Sequence, residues 1–218
     1  MNTDLVAYYR DRAKEYENIY AKPERQDDLK RAAAVLQDTF INKDIFEIGC
    51  GTGYWTAKIA GTASSIFATD INESVLEIAR HKEYGNAHVT FGIADFYSYG
   101  ETQNYEGLFG GFIWSHIQLQ DLKKFLARIN SFVLPEGTIA FMDNNYVEDS
   151  SRPITKTDEY GNTFQTRKLE DGSTHLVPKN FPSQDFIMEQ LRGLAKDIRF
   201  IDLKYYWILI YKPLHEEQ

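Results

Sequence analysis

Residues 45–54 read Ile-Phe-Glu-Ile-Gly-Cys-Gly-Thr-Gly-Tyr, an apolar run that leads directly into a glycine-rich turn. A helical pattern begins at Tyr54, so the turn joins a strand to a helix. Glycine allows positive φ and lets a ligand approach the backbone, and the first N–H groups of a helix are free to bind it. In an open α/β sheet such a turn lies at the carboxyl end of a strand, where these folds bind ligands. The stretch therefore predicts a ligand site in an α/β protein.

The spacing of the glycines narrows the class of ligand. Gly49, Gly51 and Gly53 form the pattern GxGxG, and Glu47 stands two residues before the first of them. The dinucleotide fingerprint GxGxxG would place its third glycine at position 54, which is Tyr54. A nicotinamide-dependent Rossmann oxidoreductase is therefore disfavoured, although it stays an alternative.

Outward from this stretch, short apolar runs alternate with amphipathic segments. The predicted strands are 45–48, 65–69, 88–93, 108–114, 138–142, 198–204 and 206–212. The predicted helices are 54–60, 73–81, 119–131 and 183–196. This order, with apolar runs that do not alternate cleanly, indicates a parallel sheet covered by helices on both faces. We therefore predict an α/β fold with a Rossmann-like, doubly wound, seven-stranded and mostly parallel sheet.

Two parts of the chain lie outside this alternation. In residues 1–40, apolar side chains at helical spacing predict N-terminal helices. We expect these helices to form a lid. Residues 145–182 contain Asp171-Gly172 between two strand-like runs, which predicts an insertion with an antiparallel hairpin. No repeat or low-complexity tract divides the chain, so residues 1–218 are expected to form a single domain.

The composition limits the class of partner. The chain has 24 Lys and Arg residues against 32 Asp and Glu residues, so its net charge is -8 and nonspecific binding to nucleic acid or an anionic membrane is not expected. Cys50 is the single cysteine, which fits a reducing cytoplasm. No CxxC or HExxH motif is present, so no metal site is expected. We expect a cytoplasmic protein, monomeric or homodimeric, that acts on a small molecule.

Two acids follow predicted strands on the same edge of the sheet. Asp70 follows the run 65–69, where a carboxylate can accept hydrogen bonds from a ribose diol. Asp95 and Phe96 follow the third strand, where an acid can bond an adenine amino group while the ring packs on the purine face. Together these residues predict an adenosine-containing ligand.

These motifs resemble those of the class I S-adenosylmethionine-dependent methyltransferases, over roughly residues 8–143. The matching segments are YYRDRAKEY (8–16), EIGCGTG (47–53), the strand that ends in Asp70, ADF (94–96), FIWSHI (112–117) and LPEGT (134–138). The first of them looks like the YYxxRAxEY opening of one small-molecule branch. In the last, Glu136 replaces the first glycine of the family's LxPGG turn.

The resemblance implies S-adenosylmethionine as cofactor and S-adenosylhomocysteine as product. The residues that it implies hold the cofactor are Tyr16, Glu47, Gly49, Cys50, Gly51, Gly53, Asp70, Ile71, Asp95, Phe96 and Trp114. It places Trp114 or Ser115 at the tip of the fourth strand near the sulfonium, and Tyr16 and Tyr9 over the pocket. The implied activity is in-line methyl transfer to a small-molecule acceptor. A protein that binds the cofactor without catalysis stays an alternative.

The acceptor side of the site is predicted from residues after the fourth and fifth strands. His116 is the candidate catalytic base, which is needed only if the acceptor holds its proton near neutral pH. The candidates to line the acceptor pocket are Asp143, Asn144 and Tyr146. Arg167 and Lys168 are interpreted as part of a solvated hairpin face.

Overall fold

The computed structural model describes residues 3–85, 87–100 and 105–215. It begins with helix α1, Thr3–Asp11, which continues as a 3₁₀ helix over Ala13–Ala21. The predicted first helix therefore changes to the tighter form part-way. Pro23 starts a short 3₁₀ turn, and helix α2 follows over Gln26–Thr39. Within these described ranges, no helix is long and apolar enough to cross a membrane.

The rest of the chain alternates strands with helices and then becomes mainly strand. The strands are β1 Asp44–Ile48, β2 Ser65–Asp70, β3 His88–Ile93, β4 Tyr105–Gly111, β5 Val133–Asn144, β6 Lys156–Thr157, β7 Thr163–Lys168, β8 Thr174–Pro178, β9 Ala195–Asp202 and β10 Tyr206–Pro213. The helices are α3 Tyr54–Ile59, α4 Glu73–Arg80, α5 Leu122–Asn130 and α6 Gln184–Leu191.

Seven strands form one sheet in the order β3-β2-β1-β4-β5-β10-β9. Strands β1 to β5 pair in parallel, and β10 is antiparallel to both of its neighbours. This confirms the predicted Rossmann-like fold. The chain reverses its direction of travel across the sheet between β1 and β4, where open α/β sheets form a crevice for ligands.

The central strand β1 is buried on both faces, which explains its unbroken apolar run. Ile45 belongs to one core cluster, whereas Phe46 and Ile48 belong to a second. Successive side chains of a strand point to opposite faces, so these clusters are the cores on the two sides of the sheet. Helices cover both sides and leave the carboxyl ends of the strands accessible.

Several predicted boundaries were wrong. Strand β5 begins at Val133 rather than residue 138, and β9 spans Ala195–Asp202 rather than 198–204. Strand β4 ends at Gly111 rather than Trp114, because Phe112 has a positive φ of 59° and turns the chain out of the sheet. Helix α6 ends at Leu191, before the predicted residue 196. Gly193 has a φ of 77°, which ends the helix, and β9 begins two residues later.

The predicted hairpin is present as β7 and β8, and β6 adds a third, two-residue strand that the sequence did not predict. Helix α1 packs on this small sheet. Leu5 and Tyr8 from the helix form a separate apolar cluster with Leu169 and Val177. The N-terminal helix and the hairpin insertion are therefore held together as one cover.

Candidate active site

The turn between β1 and α3 requires its glycines. Gly49, Gly51 and Gly53 have φ values of 60°, 55° and 79°, in a region that other residues rarely adopt. A Cβ atom on Gly49 would lie 2.3 Å from the side chain of Ile113. A Cβ atom on Gly53 would lie 2.4 Å from the hydroxyl of Tyr84. The backbone of the turn can pass so close to its neighbours only without side chains.

A cavity of about 540 Å³ lies at the carboxyl ends of the parallel strands. Pockets of this size hold small molecules. Its strand side is formed by Gly49, Gly51, Asp70, Ile71, Asn72, Ala94, Phe96, Gly111, Phe112 and Ile113. Its other end is formed by Leu5, Val6, Tyr9, Tyr16, His116, Ile117, Gln118 and Pro178. The cavity thus reaches from the glycine turn to the cover made by α1 and the end of β8.

Asp70, at the end of β2, holds the glycine turn in place. Its carboxylate accepts hydrogen bonds from the backbone N–H groups of Gly51 (3.0 Å) and Asn72 (2.9 Å). Burial raises the pKa of Asp70, and these N–H groups oppose the shift. The two bonds end on different oxygens, so each oxygen keeps a lone pair for a ligand.

Tyr9 and His116 meet at the other end of the cavity. The Tyr9 hydroxyl lies 2.7 Å from His116 Nε2, and His116 Nδ1 lies 2.5 Å from the carbonyl oxygen of Pro178. A carbonyl only accepts, so Nδ1 carries the proton and Nε2 accepts from Tyr9. Burial, together with the positive charges of Lys179 and Arg167, lowers the pKa of His116 to about 3. The imidazole is therefore neutral at pH 7, with an acceptor nitrogen toward the cavity.

Comparison with known proteins relates the central part of the chain to a known domain family. Residues 45–137, which include β1, the glycine turn and Asp70, match the methyltransferase domain family. The whole fold is similar to DhpI in its complex with S-adenosylhomocysteine, with a TM-score of 0.80, 23% identity and coverage of 97% of this chain and 96% of that chain. Residues 45–137 are therefore related to methyltransferase domains, and the chain as a whole has the fold of a protein solved with S-adenosylhomocysteine. The same neighbour was also solved with S-adenosylmethionine, which supports the cofactor that the sequence predicted.

Other similar proteins differ in the acceptors that their names give. A malonyl-[acyl-carrier protein] O-methyltransferase of Ilyobacter polytropus is 25% identical over 169 residues, which cover 72% of this chain and 61% of that protein. Phosphoethanolamine N-methyltransferase 1 of Zea mays is 25% identical over 146 residues, which cover 64% of this chain and 29% of that protein. The chain therefore spans less than two thirds of the length of either relative. The 1,6-didemethyltoxoflavin-N1-methyltransferase of Burkholderia thailandensis shares the fold, with a TM-score of 0.65, 13% identity and coverage of 98% and 88% of the two chains.

The structure brings about half of the predicted cofactor residues to the cavity. Those that line it are Tyr16, Gly49, Gly51, Asp70, Ile71 and Phe96. Cys50 is buried beside the turn, and Gly53 starts α3 from a left-handed conformation. The carboxylate of Asp95 accepts from the backbone N–H of Tyr97 at 3.0 Å, and Asp95 is not part of the cavity wall. Contacts of these three residues with the cofactor stay predictions.

Glu47 lies beneath the glycine turn rather than in the cavity. Its side chain is in β1 and the residue is 2% exposed, and Oε2 has no hydrogen-bond partner among the described residues. Burial raises the pKa of Glu47 to about 8, so the carboxyl is mainly protonated at pH 7. This geometry therefore does not provide a charged contact between Glu47 and the cofactor.

The predicted position of Trp114 at the tip of the fourth strand was wrong. Because β4 ends at Gly111, Trp114 falls in a one-turn 3₁₀ helix that directs its ring into the core. The residue is 1% exposed, and its ring packs edge-on against Trp207 with 5.7 Å between centroids. Phe112 and Ile113 line the cavity at this point instead.

Asp143 forms a buried ion pair. Its Oδ1 lies 2.7 Å from the ammonium nitrogen of Lys179, which also donates to the hydroxyl of Ser115 at 2.6 Å. The backbone N–H of Ser115 donates to the other oxygen of Asp143 at 2.9 Å. Burial raises the pKa of Asp143, but Lys179 and the other polar neighbours lower it by a larger amount, so the net shift is downward. Asp143 therefore ties the end of β5 to the segments after β4 and β8.

The other acceptor predictions also fall outside the cavity wall. Asn144 is partly buried, and Tyr146 is 46% exposed with its ring edge-on to Phe181. The interpretation of Arg167 as solvated was wrong, since it is 8% exposed, whereas its neighbour Lys168 is exposed. Successive side chains of β7 face opposite sides, and one of those sides is covered by α1.

Sequence reasoning missed several residues of the site. Lys179 belongs to no motif, and its pairing with Asp143 had no sequence signal. Cavity residues that no motif marked are Leu5, Val6, Asn72, Val75, Tyr97, Gln118, Asp121, Lys124 and Pro178. Across residues 3–85, 87–100 and 105–215, no group of three or more His, Cys, Asp or Glu is placed to hold a metal ion.

Proposed function

We propose that this methyltransferase transfers the methyl group of S-adenosylmethionine in line to a small-molecule acceptor. The observation that carries the proposal is the single cavity that runs from the glycine turn and Asp70 to Tyr9 and His116. A donor on the turn side and an acceptor on the other side then share one space closed by α1. Such alignment accounts for much of the catalysis, because the cofactor supplies the electrophile.

The cofactor end follows from the residues that line the turn. In this proposal, Asp70 accepts hydrogen bonds from the two ribose hydroxyls with its remaining lone pairs, while it keeps its bonds to Gly51 and Asn72. Ile71 and Phe96 pack against the adenine. The methionine part lies along the backbone of the glycine turn, with its sulfonium directed toward the acceptor end.

The acceptor end includes the neutral imidazole of His116 and the hydroxyl of Tyr9. We propose that His116 Nε2, which accepts from Tyr9 in the free protein, takes a hydrogen bond from the acceptor or from Tyr9 during transfer. The relatives named for malonyl-[acyl-carrier protein] and phosphoethanolamine methylate oxygen and nitrogen, respectively. The acceptor atom in this chain is therefore left to experiment.

The activity is tested by measuring S-adenosylhomocysteine formation against a panel of small metabolites. We expect release that depends on one acceptor class. His116→Gln should lower turnover about tenfold, because it removes the acceptor nitrogen that takes a hydrogen bond from Tyr9 or from the methyl acceptor, with S-adenosylhomocysteine affinity retained. The matched control is His88→Gln, since His88 is exposed on β3.

Two results would contradict the proposal. Tight S-adenosylhomocysteine binding without turnover on any acceptor would favour a cofactor-binding protein that is not an enzyme. Binding of NAD in place of S-adenosylhomocysteine would favour the oxidoreductase alternative.

We further propose that residues 1–40 act as a lid over the cofactor. Tyr16 lines the cavity, and Tyr20 stacks on Tyr54 at the start of α3 with 3.9 Å between centroids. Between them, Glu17 accepts a hydrogen bond from the hydroxyl of Thr52 at 2.6 Å and pairs with Lys82. The 3₁₀ segment is thus fastened directly to the glycine turn.

Loosening this fastening should release the cofactor faster. Glu17→Ala removes the bond to Thr52, and we expect S-adenosylhomocysteine to bind about 3- to 10-fold more weakly, with faster dissociation. The measurement is stopped-flow dissociation together with calorimetric titration. Glu15→Ala, two residues away, is the control and should bind as wild type does. Normal binding by Glu17→Ala would argue against the lid.

A further inference from the structure

Arg167 carries a buried positive charge beside the acceptor end of the cavity. The residue is 8% exposed, and its guanidinium lies over the ring of Tyr8, 5.4 Å from the centroid. One terminal nitrogen donates to the neutral side chain of Gln165 at 3.0 Å, and Nε has no hydrogen-bond partner among the described residues. Burial works against the charged form, but the neighbouring Tyr9 and Tyr8 hydroxyls keep the pKa of Arg167 raised. The guanidinium therefore stays charged.

The charge of Arg167 is not balanced by a carboxylate of the described part of the chain. Among the residues that the structure describes, no carboxylate forms a salt bridge with Arg167. Lys179 is neutralised by Asp143, and His116 is itself neutral. Arg12 adds a further guanidinium, which lies 5.7 Å from the centre of the Tyr8 ring. In a chain with a net charge of -8, this part of the interior is positive.

Tyr9 lies between the charge of Arg167 and the cavity. The Tyr9 hydroxyl lies beside Arg167, which lowers the pKa that burial otherwise raises, and Tyr9 lines the cavity next to His116. In the free protein this hydroxyl donates to His116 Nε2. The O–H can turn toward a ligand instead, and an anionic oxygen is the stronger acceptor.

We propose that the methyl acceptor is an anionic small molecule whose carboxylate or phosphate-type oxyanion binds at the Tyr9–His116 end of the cavity and is balanced by Arg167. This rests on the proposed methyltransferase function and names the substrate class of the same site. A buried charge without a partner is costly, and a ligand of opposite charge removes that cost on binding. Arginine suits planar and tetrahedral oxyanions alike.

Paired charged and neutral probes test this in protein saturated with S-adenosylhomocysteine. Propionate is compared with propionamide, and methyl phosphate with trimethyl phosphate, by titration followed with NMR. We expect at least one charged probe to bind about tenfold or more tightly than its neutral partner. The pair of probes with the larger ratio of charged to neutral affinity identifies the oxyanion as carboxylate or phosphate.

Variants then assign the preference to Arg167. Arg167→Met keeps the apolar stem without the charge, and the ratio should fall below about threefold. The matched control, Arg199→Met, removes an exposed arginine of β9 and should keep the wild-type ratio. If Arg167→Met does not fold, Arg167→Lys replaces it and should show a reduced but positive preference, because the charge stays and the fork geometry is lost.

The outcomes separate this inference from the proposed function. S-adenosylhomocysteine is titrated first, and failure to bind would overturn the methyltransferase proposal and this one with it. Normal S-adenosylhomocysteine binding with no charged probe preferred, or none bound, would overturn only the anionic acceptor. A preference that persists unchanged in folded Arg167→Met or Arg167→Lys would overturn it as well.

Discussion

Replacing Asp70 with alanine is expected to weaken the binding of S-adenosylhomocysteine by about 30- to 1000-fold, or about 2–4 kcal/mol. The reason is the loss of two hydrogen bonds from the ribose diol to a charged acceptor. Such bonds are individually strong but share one carboxylate, so their contributions do not add fully. Asp70→Asn keeps one acceptor oxygen without the charge and should fall between wild type and alanine.

The same substitution should also destabilise the free protein. The carboxylate already accepts from the backbone N–H groups of Gly51 and Asn72, and both lose their acceptor in Asp70→Ala. We expect the free energy of unfolding to fall by about 1–3 kcal/mol, because part of this loss is replaced by water. The effect on affinity should remain the larger one at temperatures where both proteins are folded.

Calorimetric titration of S-adenosylhomocysteine and melting curves of the ligand-free proteins measure the two effects separately. Asp44→Ala is the matched control, because Asp44 opens β1 at the opposite end of the sheet and bonds only nearby groups such as the Ser65 hydroxyl at 2.7 Å. This variant should bind as wild type does. If Asp70→Ala also binds with unchanged affinity, the glycine turn does not hold a ribose next to Asp70.

Replacing Glu47 with glutamine is expected to remove a pH dependence of stability. Burial raises the pKa of Glu47 to about 8 in the folded protein, from an ordinary value of 4.5. Between these two pH values the folded protein holds a proton that the unfolded chain releases, so stability falls as the pH rises. The full difference in pKa corresponds to a loss of at most about 5 kcal/mol in the free energy of unfolding above pH 8. Relaxation of the buried site makes the loss smaller, and we expect about 3 kcal/mol.

Glutamine has nearly the same shape and does not titrate. Glu47→Gln should therefore lie within about 1 kcal/mol of wild type near pH 5 and exceed it by about 3 kcal/mol near pH 8.5. Urea unfolding at several pH values between these limits measures the difference. Glu77→Gln, on the exposed face of α4, is the control and should leave the slope unchanged. Parallel stability curves for wild type and Glu47→Gln would show that Glu47 is ionised in the folded protein.

The cofactor end of the site could be predicted from short stretches of sequence. The GxGxG spacing requires positive φ at three positions, and all three have it. Strand β2 was expected to lead into Asp70, and the carboxylate lies next to the glycine turn because parallel neighbours bring their carboxyl ends to one edge. These features depend on residues within one strand–turn–helix unit or on the order of adjacent strands, so they can be predicted from the local sequence pattern.

The environment of individual side chains could not be predicted in the same way. Trp114 was placed at a strand tip because the apolar run continues past Gly111, but the positive φ of Phe112 depends on how the chain leaves the sheet. Asp143 looked like a pocket residue because it ends a strand, yet Lys179, 36 residues later, takes its carboxylate. Arg167 was interpreted as solvated because the sequence of the hairpin is polar. In the structure, α1 covers one face of the hairpin and buries Arg167.

The sequence by itself determined the α/β fold, the glycine turn and the acid beside it, because these follow from backbone geometry and periodicity over a few residues. Only the tertiary structure decided the acceptor end. There Tyr9 meets His116 across 107 residues, and His116 meets Pro178 across 62. Such contacts form when separate elements pack together, and the proton position on His116, the ion pair of Lys179 and the buried charge of Arg167 all depend on that packing rather than on local pattern.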